Sequence, residues 1–188
     1  MTRLELILGV IPQEEYADSV DRYIRTKYPD GPGSMLLELP EYEDIHADVF
    51  STLEKRYKEL GTKIIYGDLN REKTPPYILE LKKSRHLTPR SIISVLFYYS
   101  KISLGTVLDA RYFHKRAEGM INAVKREKPQ VVVVSRIHAD YLKKKYPCAN
   151  YTAFISPDEN IESIVKLILP ETPFEPDEVI KLEFPNLH

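Results

Sequence analysis

The stretch PQVVVVSRIH, residues 129–138, decides how this chain folds. Four consecutive valines suit a pleated backbone, and a strand with valine on both faces buries both only where helices cover the sheet on either side. Pro129 ends whatever helix precedes it, because it lacks an N–H and clashes with the preceding turn. Gln130 to Val134 is therefore expected to be a central parallel strand, with polar residues from Ser135 to His138 opening onto one rim of the sheet.

The flanks agree with this. Upstream, Tyr112, Phe113, Ala117, Met120, Ile121 and Val124 recur at helical spacing. Downstream come a short helix around Tyr141 and Leu142, a strand from Tyr151 to Ile155, and a helix carrying Ile161, Ile164, Val165 and Ile168. Nearer the N-terminus, Leu4 to Ile11 reads as a strand ended by Pro12, and Tyr16, Val20, Tyr23 and Ile24 share one face of a following helix. After the turn-rich DGPGS segment, Met35 to Leu39 has buried-strand character. Val49, Leu53, Tyr57 and Leu60 then mark a helix, with Gly61 as its left-handed cap before a strand from Lys63 to Tyr66. Farther on, Thr88 and Pro89 open an apolar helix containing Ile92, Ile93, Val95, Leu96 and Tyr99.

The expected fold is α/β: a three-layer arrangement of a mainly parallel sheet flanked by helices. Residues 1–169 form a single domain, which suits a chain of 188 residues. Residues 170–188 form an extended C-terminal tail starting with PETPFEP, in which Val179 to Phe184 can add an edge strand to this domain or to a neighbouring subunit. That second option is a route to a homo-oligomer.

Composition narrows the partners. With 27 Lys+Arg against 28 Asp+Glu there is no global field to draw the chain to nucleic acid or to an anionic membrane. No apolar run approaches the roughly 20 residues a membrane-spanning helix needs. A single cysteine, Cys148, forms no internal disulfide, and the N-terminus has no signal-peptide pattern, so the expected location is the cytoplasm. Two glutamines, no tryptophan and 14 prolines follow the thermophile trend of few labile amides and stiffened loops.

Open parallel sheets bind ligands at the carboxyl ends of their strands, so polar residues there are the candidates. Glu38 stands in the apolar run LLELP and needs a cation, a metal or hydrogen bonds if it is buried. Its plainer role is an ion pair with Arg116 or another base. Asp68 follows the strand Lys63 to Tyr66. Ser135 and His138 follow the valines, and His138 suits a metal ligand or general base, or else a surface or capping role. Ser156 to Asp158 occupy the same kind of position. The cluster Glu41, Glu43, Asp44, His46 and Asp48 resembles a metal site but sits where a helix N-terminus favours negative charge. Cys148 has no histidine nearby and is expected to be a buried thiol.

Taken in order, ILGVI, MLLELPE, RAEGM and VVVVSRIHADYL resemble the landmarks of the TraB/Tiki-like superfamily, which includes ChaN-like and erythromycin-esterase-like proteins. The resemblance spans roughly residues 4 to 142 and falls on Glu38, Arg116, Met120 and His138. Pro12 stands where the family's first histidine would be, and Ser135 replaces the glycine before His138. The resemblance implies metal-assisted hydrolysis of an ester or peptide. Glu38 and His138 would hold a divalent metal or activate water, Arg116 would neutralise an anionic intermediate, and Asp68 and Ser135 would complete the site. The alternative is a non-catalytic relative that binds a small molecule, a peptide or another protein partner.

Overall fold

A computed structural model describes residues 4–39, 48–67, 115–157 and 175–183. Among the described residues six strands form one all-parallel sheet: β1 (Leu6–Val10), β2 (Ser34–Leu37), β3 (Lys63–Tyr66), β4 (Val131–Ser135), β5 (Asn150–Ile155) and β6 (Glu178–Lys181). Their order across the sheet is β3-β2-β4-β1-β5-β6. Among the described residues the helices are α1 (Ala17–Lys27), α2 (Val49–Glu59), α3 (115–127) and α4 (Arg136–Lys145), and a 3-10 turn at Glu14–Tyr16 precedes α1.

The valine strand β4 lies between β2 and β1, pairing Val131 with Met35 on one side and with Leu6 on the other. Side chains of a strand point alternately to its two faces. Val131 and Val133 accordingly join Leu6, Leu8, Val10, Met35 and Leu37 under α1 and α2. Val132 and Val134 join Ile7, Leu36, Tyr151 and Ala153 under α3 and α4. All four valines are fully buried, at roughly 1.5–3 kcal/mol each relative to exposure.

A right-handed crossover puts its helix on a face set by the direction of travel across the sheet. The chain moves one way from β1 past β4 to β2 and on to β3, so α1 and α2 share a face. From β4 it moves the other way, past β1 to β5, which sets α4 on the opposite face. Neighbouring strands β2 and β4 thus send their exits to opposite faces, and the carboxyl ends of these two strands form the sheet's switch point.

Local signals account for the element ends. Asp48 caps α2, its side chain accepting from Ser51 N–H at 2.8 Å while Ser51 Oγ accepts from Asp48 N–H at 3.0 Å. Asp48 is the described member of the acidic cluster, and capping is its role. Gly61 adopts φ 79° after α2, the left-handed cap that glycine takes without strain.

Several expectations shift. β2 ends at Leu37, so Glu38 lies just beyond the strand instead of within it. Cys148 is exposed, not buried. It sits with Pro147 in the turn between α4 and β5, outside both core clusters. The tail strand starts earlier than expected, at Glu178, and joins this sheet through Thr152↔Glu178 to Ile155↔Lys181. It is tied down further: Asp177 Oδ2 accepts from Lys143 Nζ and from Tyr151 N–H, each at 2.7 Å, and Leu182 is buried. The segment with Thr88, Pro89 and Ile92 to Tyr99, the helix expected around Ile161 to Ile168, and Phe184 lie outside the described residues. No helix among the described residues is long and apolar enough to cross a membrane.

Candidate functional site

Glu38 is the first residue beyond β2, and its N–H still donates to Val133 O of β4 at 3.1 Å. Its position is therefore set by the sheet. Leu39 N–H turns back to Leu37 O at 2.8 Å, which leaves the carboxylate at the end of β4, where Ser135 starts the exit into α4. Ser135 N–H donates to Glu38 Oε2 at 2.6 Å. Arg116 reaches Oε1 from α3 at 2.6 Å, and His138 Nδ1 from the first turn of α4 lies 3.0 Å from the same oxygen.

Antiparallel packing explains how Arg116 comes to be there. α3 runs against the direction of β4, so its N-terminal half lies over the carboxyl end of the strand. Met120, one turn along from Arg116, is fully buried against the sheet, and this holds the guanidinium at the rim. His138 and Ala139 are similarly sunk, at 1% and 0% exposure. The surface role open to His138 is thereby overturned.

The chemistry of the cluster follows from its burial. Taking Glu38 out of water by itself pushes its pKa up. His138, the Arg116 charge and the Ser135 N–H more than offset this and hold the carboxyl well below the ordinary value near 4.5. A carboxylate only accepts, so the contact with Oε1 assigns the proton of His138 to Nδ1. Ser135 Oγ lies 3.0 Å from that same nitrogen and accepts the other arm of a shared N–H. The imidazole is thus fixed in direction.

A divalent metal does not fit these donors. Glu38 Oε1 is engaged twice and Oε2 once, and the guanidinium against Oε1 would face any cation placed there. Glu38 and His138 bond each other instead of converging on a shared third point. No group of three or more His, Cys, Asp or Glu side chains suited to a metal occurs among the described residues. Pro12, where the resemblance expects a histidine, is exposed and offers no side-chain ligand atom.

Glu38, Arg116, Ser135 and His138 therefore come together. Asp68 and Asp158 lie outside the described residues, as do Glu41, Glu43, Asp44, His46 and His114. Ser156 is buried after β5. A second polar group, not anticipated from sequence, adjoins the first. Asp140, two residues after His138, is 6% exposed and has its pKa raised by burial. The Tyr151 hydroxyl is pushed above its ordinary range by burial and by the Asp140 charge. The Tyr151 ring lies over Gly9, where an added Cβ would meet Cε2 and the hydroxyl at 3.0 Å and Ala139 Cβ at 3.1 Å. Gly9 is needed for that close approach. The only sequence signal was an aspartate close to the apolar positions of a short helix, a pattern shared by many surface residues.

Comparison with protein-family models, with curated proteins and with solved structures finds no match for this chain.

Proposed function

We propose that this chain is a non-catalytic ligand- or partner-binding α/β protein of the cytoplasm, with the Glu38 cluster bracing the carboxyl rim of its sheet. One observation carries this reading: both oxygens of Glu38 are already engaged by Arg116, His138 and the Ser135 N–H. A buried carboxylate with three protein donors is suited to holding β2, β4, α3 and α4 in fixed relation. Activating water or a metal would require it to give up those donors first. The rim so fixed is the place where a parallel sheet presents loops to a ligand, and a near-neutral chain suits a small molecule or peptide better than a polyanion.

A second reading, ester or peptide hydrolysis centred on His138, is favoured by the Nδ1 to Glu38 contact. A carboxylate that orients one imidazole nitrogen leaves the other directed to act as a general base. The two readings separate in one experiment: metal analysis of the native protein, with an esterase, peptidase and phosphatase screen at elevated temperature. The binding reading expects no stoichiometric metal lost on Glu38→Gln and no turnover lost on His138→Ala. Either loss overturns it.

A further inference from the structure

The opposite end of the sheet holds a cavity that shares no residue with the Glu38 cluster. α3 and α4 both run against the strands, so their last turns converge there with Leu4, just before β1, and Ala149, just before β5. Between them lies a cavity of about 400 Å³, lined by Leu4, Val124, Tyr146, Pro147 and Ala149 together with Lys125, Lys128, Lys145 and Cys148. Its floor is apolar: Leu4, Val124 and Ala149 are buried. Its mouth is basic: the three lysines are exposed, and among the described residues none of them makes an ion pair and no acidic side chain lines the space.

Two features bear on whether those lysines are incidental. Helix C-termini carry a negative partial charge of about half a unit each, which lysines commonly offset. Three full charges around two helix ends exceed that requirement. Lys128 also adopts φ 50° just beyond α3, where its N–H closes on Val124 O at 2.9 Å. Glycine takes that left-handed cap without strain, whereas lysine does not. A long cationic side chain is kept at the mouth of the cavity at some cost to the backbone.

The geometry points to a binding site for an organic anion with an apolar body and a carboxylate or phosphate head. The body lies on Leu4, Val124, Tyr146 and Ala149, and the head meets Lys125, Lys128 and Lys145. The volume falls within the range of small-molecule sites, about 300–1,000 Å³. This inference is independent of the proposal for the rim and stands or falls separately.

Cys148, exposed on the cavity wall and the chain's single thiol, reports occupancy. The full chain is treated with iodoacetamide in the presence of octanoate or octyl phosphate below their micellar concentrations, with octanol and octyltrimethylammonium as controls. Saturable slowing of alkylation by the anions is expected, about threefold at a ligand concentration of twice Kd, with octanol much weaker and the cation inert. Lys125→Gln combined with Lys128→Gly should abolish that protection without lowering Tm, since both side chains are exposed and glycine relieves the strained cap. No saturable protection by either anion, equal protection by octanol, or unchanged protection in the double variant would each overturn the site.

Discussion

The carboxyl end of the sheet encloses Glu38, 8% exposed, with Arg116 and His138 against it, whereas the amino end sets three exposed lysines around an apolar hollow. Both ends are built by the same helices: α3 and α4 lend their first turns to one and their last turns to the other. The difference lies in where the charge resides. At the carboxyl end it is out of water and balanced by neighbours, so its contribution is to position elements and its removal is costly. At the amino end it stays hydrated, contributes little to stability, and remains available to an incoming group. Charge that holds a fold and charge that awaits a ligand thus respond oppositely to substitution.

The sharpest way to break this comparison is Arg116→Met. It leaves the Glu38 carboxylate buried without its guanidinium partner at 2.6 Å, and losing one partner of a buried pair costs about 3–5 kcal/mol. Thermal unfolding should fall by roughly 10 °C or more for a chain of this size. A loss below about 1 kcal/mol by denaturant titration would show that the cluster is not a brace. His138→Ala belongs in the same class. A histidine at 1% exposure against a buried carboxylate is not deleted without cost to stability.

Acid should act in the same direction as Arg116→Met. Because the Glu38 carboxyl is held below its ordinary value near 4.5, the folded state binds fewer protons there than the unfolded state. Its contribution is fully present above that pH and is lost as pH falls through the folded value. Stability should decline below about pH 4.5 in the wild type and decline less steeply in Glu38→Gln. Parallel pH profiles from urea unfolding would remove Glu38 from the account.

Gly9→Ala probes whether the rim depends on close packing behind it. The new methyl would press on Tyr151 and Ala139 at 3.0–3.1 Å, displacing α4 and with it His138. Overpacking of this kind costs about 1–3 kcal/mol, and the histidine ring resonances should move. Unchanged stability and unchanged His138 shifts would mean α4 accommodates the group freely.

At the amino end, Lys125→Gln or Lys145→Gln should alter stability by less than about 0.5 kcal/mol, as exposed substitutions generally do. A larger loss would make these lysines structural and erase the contrast between the two ends.

Much of the architecture was readable from local pattern. VVVVS could be assigned to a doubly covered central strand because valine on both faces has one stable solution, and Gly61 after Leu60 announced the end of α2 because few other residues accept its backbone angles. Glu38, Arg116 and His138 were legible as candidates because a charge set among apolar residues must find a partner. Their mutual contact was not. It depends on β4 inserting between β2 and β1, a strand order that no local signal encodes, since β1 and β2 read as an ordinary consecutive pair. Tyr151 over Gly9, the exposure of Cys148 and the basic cavity likewise arise from residues far apart in the chain. Among the described residues, sequence by itself determined which segments are strands and helices and which charges would need partners, because those follow from spacing and solvation. Only the tertiary structure decided which partner each charge found, because the sheet order sets which helix ends meet at each rim.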